Sequence, residues 1–531
     1  MDGHGEHLSA VDGSFLRLES PQAHMHVGWS AICSPPVEGE RPTIDALRAR
    51  AASRMQSVPR CRQRLLSAAL GLGEPRWVDD TEFDLAAHVV ALSDADEAVS
   101  LARFAQLRDA LLSQPLDRAR PLWQIALVPR LEDGRMAVVG RVHHAMADGA
   151  AALVVAALVL DSDGDAPAAS SELWSAEPEP STAQRALDPL VHGAESTIRA
   201  ARDVAHAAVR PRSTARNAIR DAGRIGRALA EDLLTQGPDC QLNTQLGPRR
   251  TLVDYRAARA DLRAVTSGTG ATLNDAGLAV VAGALRTLAM ERDEPTEPLK
   301  AMIPIDMREH HEQGALGNHV SVAGVWLPLH LASPAARLEW VRRQTVRFKG
   351  GGRPAGTHAL MSAVGWLPSL LRGLVMRAGA SSRAFNLTVS NVRGPRIALS
   401  VLGARLDEIF PVVPIAEQHA LSIGMLSYRE HLHFGVHADP DALPHVTRLP
   451  HLFEQEVRAL QPATPARSPS TREPWAGYDD QGVAQIAAAL GNGRAEAAGA
   501  VASYEPTHKN RVGVLDAARR APGAPPRGDR S

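Results

Sequence analysis

Apolar positions along the chain fall into two recurring patterns. Short β-like runs at residues 27–33, 125–128 and 136–142 alternate with helix-like runs at 44–55 and 102–112. This interleaving predicts an α/β first half reaching to about Asp161. From there to about Thr182 the chain is rich in Asp, Ala, Ser, Pro and Glu and poor in large apolar residues, which predicts a linker or surface loop. Residues 196–234 are mostly Ala and Arg and are interrupted by Pro211, so two helices of a crossover are expected. A second α/β pattern follows over 252–460, with a helix over 273–292 and extended runs at 299–305, 319–329, 385–391 and 431–437. Beyond Pro462 a Pro, Ser and Arg-rich joint leads to helical runs at 483–490 and 495–504, separated by Gly491, Asn492 and Gly493. A loosely attached helical hairpin with a disordered end is expected there. The implied division is 1–180, 181–245, 246–461 and 462–531: an N-terminal subdomain, a linker with a basic helical crossover, a C-terminal subdomain and a tail.

At 531 residues the chain exceeds what one compact core accommodates. Its 58 basic and 59 acidic side chains leave a net charge of -1, which removes the broad positive field that binding to nucleic acid needs. The three cysteines, Cys33, Cys61 and Cys240, form no redox or zinc spacing, so a reducing compartment is inferred. The first ten residues lack the basic start and apolar run of an export signal, which places the protein in the cytoplasm. The most apolar stretch, 359–380, is broken by Gly365, Pro368, Arg372 and Arg377, leaving only peripheral membrane contact open.

The sharpest chemical feature is Arg141-Val142-His143-His144-Ala145-Met146-Ala147-Asp148-Gly149, between two apolar runs. A strand is expected to enter it and a helix to leave. Adjacent side chains of an extended segment point to opposite faces, so His143 and His144 do not share one task, and a two-histidine metal site is disfavoured. Asp148 stands where it caps the next helix or takes an arginine partner. Gly149 permits close backbone approach. A neutral imidazole at a strand end is suited to taking a proton from a hydroxyl, because an ordinary pKa of about 6.5 leaves it mostly unprotonated near neutrality. His144 is the candidate base. No Gly-x-Ser-x-Gly elbow and no cysteine beside a histidine accompanies it, so direct transfer from a bound donor is expected rather than a covalent acyl-enzyme. The plainer alternative is a pair of ordinary strand histidines with Asp148 as an N-cap.

Neighbouring residues reverse that alternative. Pro115-Leu116-Asp117-Arg118-Ala119-Arg120-Pro121-Leu122-Trp123, then the strand, then His-His-x-x-x-Asp-Gly, resembles the bacterial wax ester synthase/diacylglycerol O-acyltransferase family. So do Val11-Asp12-Gly13-Ser14-Phe15-Leu16, Glu19-Ser20-Pro21 and Met25-His26-Val27-Gly28. The likeness continues through Val58-Pro59-Arg60, Phe83-Asp84-Leu85, Leu246-Gly247-Pro248, Thr272-Leu273-Asn274-Asp275, Leu316-Gly317-Asn318 and Ser390-Asn391-Val392 with Gly394-Pro395. It spans roughly residues 9–460.

The resemblance implies two subdomains related to chloramphenicol acetyltransferase, joined by the helical crossover, with a tunnel across their interface and His144 inside it. It implies acyl-CoA as co-substrate, with no further cofactor and no metal. The acceptor is diacylglycerol or a long-chain alcohol, giving triacylglycerol or wax ester. His144 would deprotonate the acceptor hydroxyl, His143 and Gly149 would shape the motif, and Asp148 would stabilise it. Asn274 would donate a hydrogen bond into the site or, alternatively, cap the helix after it. Two rivals share features with this reading. A condensation-type or polyketide-associated transferase has the same motif, but no carrier or adenylation module stands beside it here. A noncatalytic lipid-surface protein could keep the fold, but an intact His144 and Asp148 argue against it.

The chain departs from the family pattern at three places: Gln124 for the usual Glu after the Trp, Asp306 in Pro304-Ile305-Asp306, and Arg393 inside Asn-Val-x-Gly-Pro. Arg212, Arg216, Arg220, Arg224 and Arg227 form a basic stripe, and Trp366, Leu367, Leu370, Leu371, Leu374 and Val375 an apolar one. A solvated face and core packing are the ordinary explanations; contact with an anionic lipid surface is the other. With a water-insoluble acceptor, peripheral association with the inner membrane surface or a lipid droplet is expected.

Overall fold

A computed structural model of the chain describes residues 6–36, 41–67, 75–147, 155–162, 174–181, 184, 235–267, 269–306, 320–350, 381–395, 397–463, 474–475, 478, 481–491, 497–505 and 512–520. In chain order the strands are β1 (Glu6–His7), β2 (His26–Ser34), β3 (Gln63–Leu66), β4 (Arg76–Asp79), β5 (Val89–Ala91), β6 (Trp123–Val128), β7 (Met136–His143) and β8 (Asp161–Ser162). They continue as β9 (Thr251–Ala258), β10 (Leu299–Asp306), β11 (Val320–Leu327), β12 (Leu387–Arg393), β13 (Leu399–Val401), β14 (Ala404–Val412), β15 (Leu421–Tyr428) and β16 (His431–Ala438). The helices are α1 (Ala10–Leu18), α2 (Ile44–Arg54), α3 (Leu85–His88), α4 (Leu101–Leu112), α5 (Arg259–Thr266), α6 (Leu273–Glu291), α7 (Pro334–Gly350), α8 (Leu449–Ala463), α9 (Val483–Gly491), α10 (Ala498–Tyr504) and α11 (Val512–Arg520).

The described strands build three sheets: a seven-stranded one ordered β5-β6-β7-β2-β14-β13-β8, a six-stranded one ordered β11-β10-β12-β15-β16-β9, and a small β1-β4-β3 sheet. Every residue of β7 is buried, which is why its sequence is a continuous apolar run rather than an alternating one. Around it Val27, Trp29, Trp123, Ile125 and Val138 form the core of the first half. In the second half α6 starts on a capping box between Thr272 and Asp275, and its small apolar side chains pack with Phe434 and Phe453 into a separate core.

The expected strands and helices on described residues are present, with two differences of substance. The run expected at 385–391 becomes strand only from Leu387, because Asn386 is used as a tie. Its Oδ1 accepts from the Lys300 amide at 2.8 Å and its Nδ2 donates to Pro238 O and Asn243 Oδ1, both at 2.7 Å. The expected C-terminal hairpin carries a third helix, α11, so Tyr478, Ile486, Leu490, Val501, Tyr504 and Val514 enclose a small core of their own. The crossover with its arginine stripe, and the apolar segment around Trp366, lie outside the described residues. Among the described residues no helix is long and apolar enough to cross a membrane.

The two large sheets meet at a strand of the seven-stranded one. Although β14 follows β12 in the chain, it pairs antiparallel with β2, with Pro411 opposite Trp29 and Val412 opposite Gly28. Its far side rests on the six-stranded sheet. There Gly424 of β15 and Gly435 of β16 are directly opposite in the ladder and open a notch that Pro411 fills. A Cβ on Gly435 would meet Pro411 O at 2.0 Å, and one on Gly424 would meet Pro411 Cγ at 2.7 Å. Just beyond, Ser422 Oγ and His437 Nδ1 both donate to Val413 O, at 2.7 and 2.8 Å.

A second seam lies at α4. Buried Arg108 donates to Asp254 Oδ2 at 2.6 Å and also to Leu252 O, while Asp109 accepts from Thr251 Oγ1 at 2.6 Å and from the Leu252 amide at 3.1 Å. Burial pushes the Asp254 carboxyl up and Arg108 pulls it back only in part. For Arg108 burial acts downward, and the charges of Asp254 and Asp109 outweigh it.

The notch gives a direct test of the junction. Gly435→Ala should lower the free energy of unfolding by about 2 kcal/mol or more, the upper part of the range for overpacking, since the obstacle is backbone rather than a movable side chain. Gly491→Ala, where an added Cβ meets nothing within 4 Å, should be within experimental error of the parent. Denaturant titration of both variants decides; an unchanged midpoint for Gly435→Ala would mean the two halves are not seated through Pro411.

Candidate active site

The turn after β7 is held by its own backbone and by the segment before β2. The amides of Met146 and Ala147 donate to His143 O at 2.9 and 3.3 Å, and the His144 amide donates to Met25 O at 2.8 Å. Met25 has a φ of 46°, in the left-handed region that a side-chain-bearing residue seldom occupies. That strain is offset where the conformation turns the Met25 carbonyl onto the His144 amide.

The two histidines have unlike surroundings, His143 at the end of β7 and His144 in the turn that follows. His143 is fully buried; its Nδ1 accepts from the Ala145 amide at 3.0 Å, so the proton is on Nε2, which faces Glu19 Oε2 at 3.6 Å. His144 is half-buried and lies flat on Phe15, with ring centroids 3.9 Å apart and planes 12° from parallel. Phe15 comes from α1, whose N-cap is Ser9, and it packs against Ala23, Met25, Leu246 and Ile415. Residues from both halves therefore meet beside His144. Asp148 and Gly149 lie outside the described residues.

Behind His143 stands a pair whose role the sequence does not reveal. Arg118 donates through Nε to Glu19 Oε2 at 2.7 Å, reaches the same oxygen through a second nitrogen, and also donates to Leu16 O at 2.9 Å. Burial alone would raise the Glu19 carboxyl, but His143 and Arg118 together hold it below its ordinary value. Glu19-Ser20-Pro21 and Asp117-Arg118 had only their likeness to a family to single them out. The signal that joins them is the acid–base complementarity of two segments about one hundred residues apart, which no local pattern exposes.

Further imidazoles pack on the same side as His143. His26 stands opposite His143 in the ladder, with ring centroids 6.3 Å apart, and accepts from the Leu116 amide at 3.3 Å. Burial, then the charge of Arg141, hold His26 well below its ordinary pKa. Burial likewise brings His437 down to about 3 and His433 to about 4. Arg141, two residues before His143, donates to Gln124 Oε1 at 2.7 Å and to the carbonyls of Leu111 and Gln114 at 2.6 Å. Gln124 thus fills the place of the expected Glu as a neutral acceptor, and burial lowers Arg141 to about 10.

Asn274 does not cap its helix. Thr272 does, leaving Asn274 Oδ1 to accept from Asn391 Nδ2 at 2.8 Å and so to join α6 to β12. Of the departures, Arg393 is exposed at the end of β12, and the side chain of Asp306 at the end of β10 is outside what is described.

Residues 8–277 match the wax ester synthase/diacylglycerol acyltransferase catalytic domain, and residues 316–461 match the C-terminal domain of the same family. The chain belongs to the wax ester synthase/diacylglycerol acyltransferase family. It is 30% identical over 477 residues to a probable diacylglycerol O-acyltransferase of Mycobacterium tuberculosis, covering 86% of this chain and 95% of the relative. A putative diacylglycerol O-acyltransferase of Mycobacterium bovis is 31% identical over 473 residues, 88% of this chain and 92% of that one. Among solved structures, the wax ester synthase/diacylglycerol acyltransferase from Marinobacter aquaeolei superposes with a TM-score of 0.61 at 23% identity, covering 86% of this chain and 99% of that one. The first condensation domain of the calcium-dependent antibiotic synthetase gives 0.54 at 15% identity, over 87% and 97%. The fold is accordingly α/β with two chloramphenicol-acetyltransferase-like subdomains, and this member of the wax ester synthase/diacylglycerol acyltransferase family is an acyl-CoA-dependent O-acyltransferase. Helices α9 to α11 lie beyond both matched regions.

Two measurements follow from this geometry. Glu19→Ala leaves Arg118 and His143 facing a lost acceptor and should cost about 1 to 3 kcal/mol of stability, whereas Glu19→Gln, which keeps an oxygen, should cost less than half as much; equal losses in chemical denaturation would deny the carboxylate a part in holding the turn. The neutral His433 and His437 predict acid sensitivity. Unfolded histidines titrate near 6.5, so below about that pH the unfolded chain binds protons that the folded chain refuses, and stability is lost from there towards pH 4 and 3 by up to about 1.4 kcal/mol per pH unit for each. His437→Gln should flatten that slope in denaturant midpoints taken between pH 7.5 and 5.

Proposed function

We propose that the enzyme transfers a long acyl chain from acyl-CoA to the hydroxyl of diacylglycerol or of a long-chain alcohol, with His144 as the general base. The observation that carries the reading is the division of labour at the end of β7. His143 is fully buried, with Nδ1 bonded to the Ala145 amide and Nε2 facing Glu19, while His144 is presented half-buried against Phe15, where both halves of the chain meet. In the step itself the acceptor O–H gives its proton to the His144 imidazole as its oxygen bonds to the thioester carbon. The tetrahedral intermediate then expels the CoA thiolate by breaking the C–S bond, and the thiolate takes the proton back from the imidazolium. No side chain forms a bond to the acyl group, no cofactor beyond the acyl-CoA co-substrate enters, and no metal is used.

Asp148 and Gly149 hold the turn in this reading, and Asn274, through Asn391, positions the start of α6 on the facing half. Relatives named as diacylglycerol O-acyltransferases support the choice of diacylglycerol. An acceptor of that kind is not soluble in water, so the enzyme works as a peripheral protein on a membrane or lipid-droplet surface.

The test is release of CoA thiol from a long-chain acyl-CoA with diacylglycerol, hexadecanol or an amine as acceptor. Acceptor-dependent release with the alcohols and not the amine is expected, and preference for the amine would favour condensation-type chemistry instead. His144→Ala should lower that release by roughly 100 to 10,000-fold with its circular dichroism unchanged. Near-parental turnover in folded His144→Ala protein would falsify the assignment of the base.

A further inference from the structure

We propose that the outer face of α7 is the surface by which this enzyme docks on anionic lipid. The inference rests on the reading that the acceptor is a water-insoluble lipid, and it names the element that reaches it. Seven large apolar side chains are exposed among the described residues, and three of them, Met290, Trp340 and Val346, lie on the packed pair α6 and α7. Scattered single exposures need no explanation, but their concentration on one layer does.

The geometry of α7 separates an inner from an outer face. Arg337, Leu338, Val341 and Thr345 are buried, with Arg337 paired to Glu456 of α8 and Thr345 donating to Asp275 of α6 at 2.8 Å. Opposite them, at steps of three and four, stand Ala336, Trp340, Arg343 and Arg347, with Val346 beside Arg343. Trp340 is 39% exposed and Val346 52%, while the Arg343 side chain is 64% exposed. Trp340 keeps an edge contact with His330 at 5.3 Å between centroids, so its ring is held at the surface rather than folded away.

Neighbouring α8 shows what an ordinary solvated face looks like on this side of the molecule. Its exposed positions, His451, Gln455, Arg458, Ala459 and Gln461, include no large apolar residue. The outer face of α7 differs in joining an indole and a β-branched side chain to arginines. One carboxylate lies among them: Glu339 accepts from Arg342 at 2.8 Å and from Arg343 at 3.0 Å. Three arginines, Arg342, Arg343 and Arg347, against one glutamate leave the face positive.

The outer face of α7 carries cations around an amphipathic indole. It suits a laterally fluid interface, where indole and aliphatic groups enter the headgroup boundary and arginines meet lipid phosphates. Charge complementarity selects an anionic surface over a zwitterionic one.

The experiment is co-sedimentation of the full-length protein with vesicles of phosphatidylcholine alone or with one third phosphatidylglycerol, at low and high salt. The parent should bind the anionic vesicles and lose most of that binding in salt. Arg343→Gln with Arg347→Gln should lower the partition coefficient about tenfold, and Trp340→Ala should lower what remains in high salt. Both should keep their thermal midpoints and their CoA release with a short-chain, water-soluble alcohol. Should Trp340→Ala unfold, the arginine pair alone decides, because neither residue is buried. Undiminished binding by the arginine pair, or no vesicle binding by the parent, overturns the proposal. Vesicle binding without CoA release dependent on diacylglycerol or hexadecanol would instead remove the proposed water-insoluble acceptor and leave the surface standing.

Discussion

The seating of Pro411 in the notch of Gly424 and Gly435 is the constraint on which the remaining architecture depends. A strand can be hydrogen-bonded into one sheet and packed on another only if the second sheet lets its backbone approach to contact distance, and side chains at either glycine position would forbid that. With β14 fixed this way, β2 is fixed beside it, and β2 in turn pairs with β7 from His26 opposite His143 to Cys33 opposite Met136. The position of the histidine turn relative to the second half of the chain is thus transmitted through three adjacent strands. The polar ties at α4 act on the opposite flank of the same junction. Because burial raises the Asp254 carboxyl and Arg108 offsets that only in part, the gain from the pair is set against the cost of burying it, and the seam serves alignment.

Two adjacent histidines have unlike environments. His143 ends β7 fully buried, where its Nδ1 accepts from the Ala145 amide and its Nε2 faces Glu19. His144 follows in the turn, where its ring lies flat on Phe15. The turn itself is set by main-chain hydrogen bonds, among them the one from the His144 amide to Met25 O.

How far the sequence could be read depended on the range of the interaction concerned. Strands β2, β6, β7, β10, β11, β12 and β16, and the helix α6, were legible because burial writes itself into residues a few positions apart, whereas β9, β14 and β15 were not singled out. Sheet membership was not legible. Nothing in residues 404–412 says that they join β2 and not the strands on either side of them in the chain, since pairing partners are chosen by three-dimensional fit. Glu19 and Arg118 were marked only by likeness to a family, for the same reason. Asn274 shows the limit from the other side: a cap was a fair expectation at a helix start, and the competing Thr272 two residues earlier took the position.

The replacement of the expected glutamate by Gln124 has an electrostatic consequence that reaches the motif. A carboxylate at 124 would neutralise Arg141, whose acceptors here are an amide oxygen and two carbonyls, none of them charged. Burial brings Arg141 down only to about 10, so it stays cationic at neutral pH, and its field is the largest contribution after burial to keeping His26 unprotonated. Arg250 acts in the same sense on His24 and His437. On the buried side of the β7 turn, burial first and these fixed cations second therefore all act to lower His24, His26 and His437, with Glu19 as the anion that faces His143.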